Sequence, residues 1–136
     1  MSYLLDTNII SELRKGDRTD RGVMEWFSGI ADQDIHLSVL VMGEIRKGID
    51  AIGLRDRQAS DALNRWLSSI TDNYAGRILP INLEIADVWG RLNIPDPLPT
   101  IDGLLAATAI VHDLTLVTRN VRDIARTGAA VFNPFQ

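Results

Sequence analysis

The chain contains no cysteine in its 136 residues. Disulfides and thiolate zinc sites are therefore excluded, and such usage suits a reducing compartment. Histidine is nearly as scarce. His36 and His112 are the only two, so zinc also lacks its usual nitrogen ligands. His112 falls at the end of a helical stretch, where its charge simply favours the dipole. No apolar run approaches the roughly 20 residues that span a bilayer. Asp6 interrupts the only early apolar stretch, which removes any signal-peptide pattern. These absences point to the cytoplasm and away from membranes. Repeats, low-complexity tracts and Ser/Gly linkers are missing too, so residues 1–136 read as a single domain.

Positive charge is also in short supply. A net charge of −4 weighs against a nucleic-acid partner, because phosphate binding normally leaves a basic footprint. Two features offset this. Carboxylates gathered around a metal lower the isoelectric point, while the bound cation reverses the local field. Arginine outnumbers lysine 12 to 2, and Arg suits bidentate phosphate recognition.

What remains is ordinary globular material, 46% hydrophobic and 24% charged, with enough length to bury roughly 70% of the unfolded surface. Leu4 to Asp6 reads as a first strand. Asn8 to Lys15 is a helix with Ile9, Ile10 and Leu13 at helical spacing, broken by Gly16. Arg21 to Ile30 is again helical through Val23, Trp26, Phe27 and Ile30. Ile35 to Ser38 is a strand, and Ser38 caps a helix running to about Ile49. Gln58 to Tyr74 sets Ala62, Leu63, Trp66, Leu67 and Ile70 on one face. "GRILPIN" supplies a third strand, Ile78 to Ile81. Leu83 to Leu92 is a helix stopped by the proline-rich "IPDPLP" loop. Ile101 to Val111 follows, with Leu104, Leu105, Thr108 and Val111 facing inward. "LTLVT" and "AAVFN" are the last strands. Strands alternating with helices predict a parallel sheet covered on both faces, an α/β fold.

In such sheets ligands bind beyond the carboxyl ends of the strands, where the strand order reverses. Asp6 closes the first strand. Glu44 lies early in the helix after the second, inside the almost wholly apolar "SVLVMGEI". Asp102 opens the "TIDGLLAATAI" helix near its positive end. Thr118, Arg119 and Asn120 follow the "LTLV" strand, and Asp123 lies one helical turn past Asn120. An aspartate before a helix is ordinarily a cap, and a lone glutamate on a helix is ordinarily solvated. The conjunction is what argues for chemistry, because like charges converging at a buried edge need a neutralising cation. Oxygen donors of this kind suit Mg²⁺ or Mn²⁺.

With those residues assembled, the chain resembles PIN-domain ribonucleases of the VapC toxin family, in particular their FitB-like, plasmid-stability branch. The motifs "LLDTNIISEL", "LSVLVMGEIRKGI", "GRILPIN", "DGLLAATAIVHDLTLVTRNVRD" and "VFNPF" occur in the family's order along nearly the whole chain. The resemblance implies an α/β/α sandwich with about five short parallel strands. It also implies a metal-dependent site in which Asp6, Glu44 and Asp102 occupy the acidic positions and act as metal ligands. The fourth position departs from the stricter pattern. Asn120 stands where many members have an acid, and Asp123 follows three residues later, so either of them fills it. Thr7, Asn8 and Thr118 become partners that orient the ligating carboxylates. The implied reaction is hydrolysis of RNA phosphodiester bonds, tRNA among the candidate targets. Arg119, Arg122 and Arg126 are candidate phosphate contacts, and Arg46 and Lys47 are weaker ones.

The same resemblance implies a VapB-like antitoxin that covers the groove, a homodimer, a higher-order complex with the antitoxin, and DNA contact only through the antitoxin. Trp26, Phe27, Trp66 and Leu67 serve either such surfaces or the core. Two other α/β enzyme classes fail on residues. A haloacid-dehalogenase-type phosphatase needs an acid where Asn8 stands. A response-regulator receiver needs an acid where Asn82 stands and a later lysine, yet none follows Lys47. A weakly active or inactive binding module with the same fold, acting through an antitoxin–DNA complex, remains the rival reading. Cleavage of DNA is a third, because fold alone does not choose the substrate.

Overall fold

Short strands rich in leucine, isoleucine and valine alternate with helices along the chain, and the computed structural model, which describes residues 1–136, shows how they assemble. The first half runs β1 (Tyr3–Leu5), α1 (Thr7–Leu13), α2 (Arg21–Ser28), β2 (Ile35–Ser38), α3 (Val39–Gly53) and α4 (Arg57–Asn73). The second half runs β3 (Ile78–Leu79), α5 (Leu83–Leu92), α6 (Thr100–His112), β4 (Thr115–Val117), α7 (Val121–Ala125) and β5 (Val131–Phe132). Short 3-10 turns at Gly16–Arg18 and Asp32–Asp34 lead into α2 and β2.

All five strands are parallel, in the order β3-β2-β1-β4-β5. The chain therefore builds outward from β1 in one direction, then returns to its other side with β4. Right-handed crossovers place α1 to α4 on one face of the sheet and α5 to α7 on the other. An apolar cleft of about 210 Å³ marks the first face, where Leu5 and Leu37 meet Ile10, Phe27, Trp66 and Ile70. The reversal lies between β1 and β4, whose register pairs Leu4 with Leu116 and Leu5 with Val117. Just beyond their last paired residues, Asp6 and Thr118 emerge side by side.

The core is aliphatic. Leu4, Ile9, Val23, Ile35, Val41, Leu105, Leu116 and Ile124 are fully buried around the sheet. Helix α6 departs from the expected pattern: Gly103 and every residue from Leu105 to Ala109 are buried, whereas Leu104 and Val111 are only half-buried. Its small residues let it sink between neighbours, so it has no single apolar stripe. On α4, Leu67 is buried and Trp66 half-buried, but Ala62 is exposed. Trp26 stacks edge-on against Tyr3 at 5.2 Å, which assigns it to the packing of α2 on β1.

Boundaries shift for local reasons. Helix α3 runs on to Gly53, past Ile49, because half-buried Ile52 continues its apolar spacing. The third strand stops at Leu79, since Pro80 cannot donate to the ladder. The first strand spans Tyr3 to Leu5, and Asp6 becomes the N-cap of α1 while its backbone N–H still donates to the Val117 carbonyl at 3.0 Å.

Candidate active site

Asp6 sits where the sheet ends and a helix begins, and it is only 6% exposed. Its Oδ1 accepts from the Thr7 N–H at 2.7 Å, not from the second or third turn position that an ordinary cap serves. Its Oδ2 accepts from the Thr118 hydroxyl at 2.8 Å and from the Asn8 amide at 3.5 Å. Burial pushes the Asp6 carboxyl above the usual range. The bonds from Thr118 and Thr7 oppose that, and the charge of Glu44 adds to it. The residue is a cap and a buried charge at once, reconciling the two readings of its position.

Thr118 is fully buried and ties the two central strands together. Its hydroxyl donates to Asp6 and accepts from the Asn120 N–H at 3.0 Å and the Asn8 amide at 3.4 Å. Asn8 in turn accepts from the Arg119 N–H at 3.2 Å. The loop after β4 is thus stitched to the start of α1.

The other two acids arrive on α3 and α6. Ser38 caps α3 by accepting from the Leu40 N–H, which starts the helix so that Glu44 comes up in its second turn beside Thr7. The Thr7 hydroxyl donates to Glu44 Oε1 at 2.6 Å. Asp102 lies in the first turn of α6 and accepts from the Asn120 side-chain amide at 2.9 Å. Burial raises the Asp102 carboxyl, and the charges of Asp6, Asp123 and Glu44 raise it further, against the Asn120 bond. Asp102 therefore feels three other acids, from three other segments, at one sheet edge.

The donor set is all oxygen, which suits a hard divalent cation, and two of its carboxylates are held in a state that added positive charge would relieve. The side chains nevertheless do not close into a coordination sphere, for no three His, Cys, Asp or Glu groups converge closely enough to hold an ion. Glu44 spends an oxygen on Thr7, and Asp102 spends one on Asn120. His36 and His112 join no such group either. His36 is half-buried in β2 with its Nδ1 unpaired.

The arginines separate. Arg119 is exposed, and its guanidinium lies over the ring of Phe135, 4.5 Å from the centroid. Arg122 is exposed on α7. Arg126 instead donates to the carbonyls of Asp96 and Pro97 at 3.2 and 3.0 Å, pinning the proline-rich loop that precedes α6. Arg46 reaches Asn64 on α4 and pairs with Asp50, spanning α3 and α4. Lys47 lines a groove of about 600 Å³ with Glu44, Val39 and Ile101. Sequence reasoning missed two residues that support the site. Glu12, 8% exposed, holds the turn before α2 through Lys15 and the Asp20 N–H. Trp89 packs beside Gly103, next to Asp102. No local signal marks either one.

Comparison with known proteins agrees with this geometry. The PIN domain matches residues 3–130. Toxin FitB of Neisseria gonorrhoeae is 33% identical, with 97% of each chain covered. VapC ribonuclease Y4jK of Sinorhizobium fredii is 30% identical over 98% of this chain and 97% of its own. Among solved structures, FitAcB from Neisseria gonorrhoeae superposes with a TM-score of 0.88 at 32% identity, covering 97% of both chains. FitAB bound to an IR36 DNA fragment gives the same TM-score at 30% identity over 98% of this chain and 96% of that one. By sequence and by fold, this chain belongs to the PIN-domain family, among its FitB- and VapC-like members.

Proposed function

We propose that the chain is the toxin of a type II toxin–antitoxin pair and a Mg²⁺- or Mn²⁺-dependent endoribonuclease. The observation that carries this reading is the linked set at the β1/β4 edge, where Thr118 joins Asp6 to Asn120 and Asn120 joins Asp102. Relatives named as ribonucleases support the substrate class. Asp6, Asp102 and Glu44 would hold the cation, with Asn120 or Asp123 in the fourth position. Once bound, the metal supplies Lewis acidity and a water acidified enough to attack phosphorus. The chain's own residues do the rest. Thr118 and Asn8 hold the Asp6 carboxylate, Thr7 orients Glu44, and Asn120 keeps Asp102 aimed at the same edge. Arg119, Arg122 and, more remotely, Arg46 face the phosphates.

Solved relatives include FitAB bound to a DNA fragment and FitAcB, and a further one is a toxin–antitoxin complex from Klebsiella pneumoniae. By extension, a VapB-like antitoxin silences this chain, DNA is met only through that partner, and the chain pairs as a homodimer. No helix is long and apolar enough to cross a membrane. The chain's site of action, on the ribonuclease reading, is among cytoplasmic RNAs. One observation favours the rival reading of an inactive binding module: Asn120 brings an amide, not a charge, to the acidic edge.

Cleavage of a labelled total-tRNA pool by antitoxin-free protein tests both. Wild type, Asp6→Ala and Asp102→Asn are compared with Mg²⁺, with Mn²⁺ and with EDTA. Discrete metal-dependent products that vanish in both variants are expected. Absence of cleavage together with absence of metal binding by calorimetry would leave the binding-module reading.

A further inference from the structure

Arg119 stands between the two residues that fasten the acidic edge. Thr118 before it bonds Asp6, and Asn120 after it bonds Asp102. Its own backbone N–H donates to Asn8. The position of its Cα is therefore dictated by the site, while its guanidinium forms no ion pair and no hydrogen bond and is exposed.

What holds the guanidinium is a segment distant in sequence. Residues 133 to 136 cross the start of α2, where a Cβ on Gly22 would lie 2.2 Å from the Pro134 carbonyl oxygen. Only glycine admits that crossing. One bond then ties the segment to α2 and a second braces a turn within it. The Gln136 N–H donates to Asp20 Oδ1 at 3.2 Å, and the Phe135 N–H donates to Asn133 Oδ1 at 3.0 Å. Asp20 is the N-cap of α2, and its own N–H is held by Glu12. Phe135 is thereby delivered beneath Arg119, its ring centroid 4.5 Å from the guanidinium carbon. Against partial burial, the Asp20 carboxyl is lowered by backbone N–H bonds from Val23, Gln136 and Gly22, with the Arg119 charge a minor addition.

Stacking on an aromatic face occupies one side of a guanidinium and leaves its in-plane N–H groups free. Those groups match the oxygens of a phosphate, and a donor fork that is already ordered loses less entropy on binding. We propose that Arg119, held by Phe135, is a backbone-phosphate subsite for the RNA strand at the edge of the acidic cluster, with Phe135 as its positioning residue. The assignment rests on the ribonuclease reading and gives it a strand-binding element that the net charge of −4 hides. Phe135 touches no substrate in this scheme and acts through Arg119 alone.

The test pairs binding with cleavage. Affinity for a labelled mixed-sequence single-stranded RNA is measured by anisotropy against salt in the Asp102→Asn background, and KM and kcat are measured in the otherwise wild-type protein. Arg119→Ala is expected to weaken RNA roughly tenfold and to reduce the salt slope by about 0.7. Phe135→Ala is expected to raise KM roughly threefold with kcat unchanged, and Phe135→Tyr to restore wild-type KM. Thermal melting of each variant separates this from loss of fold. The subsite is overturned if Arg119→Ala keeps both affinity and slope while cleavage persists, an outcome that leaves the nuclease standing. The role of Phe135 is overturned if its alanine variant binds normally, or if tyrosine fails as alanine does at an unchanged melting temperature. Variants that lose the antitoxin but keep RNA would assign the surface to the protein partner instead. A wild type that neither cleaves nor binds RNA removes the ribonuclease reading and the subsite with it.

Discussion

Thr118 is the residue on which the candidate site turns. It is fully buried and serves Asp6, Asn8 and Asn120 with one hydroxyl. Thr118→Val keeps the shape but strips the donor from a buried carboxylate, and unfolding in urea should register a loss of about 1–3 kcal/mol. Thr118→Ser should recover most of it. Asp102 predicts a pH effect of defined sign. Its carboxyl is raised by burial first and then by Asp6, Asp123 and Glu44, so its ionised form opposes folding. That opposition is absent below the ordinary Asp pKa and grows as pH rises toward the raised one. Asp102→Asn retains the acceptor for Asn120, so in EDTA it should melt above wild type at neutral pH. The gain should fade as pH falls below the ordinary aspartate range, and a constant difference across pH would refute the charge explanation. Asp6, Glu44 and Asp102 were legible as candidates because the strand–helix order brings their segments to one sheet edge and each falls in a family motif, though singly the aspartates read as caps. The Thr7 bond to Glu44 was not, since a hydroxyl gives no hint of which distant carboxylate it will meet.

At the scale of elements, the packing of α5 on α6 decides where Asp102 points. A Cβ on Gly103 would stand 3.1 Å from Trp89 Cδ1 and 3.3 Å from Leu98 Cβ, with the ring and the loop both in the way. Glycine inside a helix normally yields stability to alanine by roughly 1 kcal/mol, and here the tight contact opposes that gain. Gly103→Ala should destabilise by about 1–3 kcal/mol and depress cleavage more than Asn93→Ala, which removes a side chain bonded to the Trp89 carbonyl and the Leu98 N–H. Trp89 itself is half-buried with an unpaired indole N–H, so its packing against the glycine is not bought by a hydrogen bond. The helices themselves were readable from apolar spacing and caps. The buried circumference of α6 was not, because alanine and glycine carry no periodic signal. Arg126 shows the same limit: read as a phosphate contact, it is found clasping the carbonyls of Asp96 and Pro97.

For the whole molecule, the acidic edge exists only while the sheet is intact, since Asp6 and Thr118 face each other across β1 and β4. Cleavage and far-UV circular dichroism should therefore vanish at one urea midpoint. Leu116→Ala, at the fully buried centre of β4, should lower both together by about 2–5 kcal/mol. Activity that disappears well before the fold would instead locate the site on a separately melting segment.

The sequence by itself determined the α/β class, the run of elements and the identities of the charged residues that have no apolar reason to be where they are. Period, capping and proline position are local physics, and a chain carries them on its face. Tertiary structure alone decided which of those charges share an edge and which hydroxyls and amides reach them. It also decided which arginines stay free: Arg119 rests on a ring 16 residues further along the chain, while Arg126 is consumed by a loop. Those pairings come from the strand order β3-β2-β1-β4-β5. That order sets residues more than a hundred positions apart within hydrogen-bond reach, and no local pattern encodes such a distance.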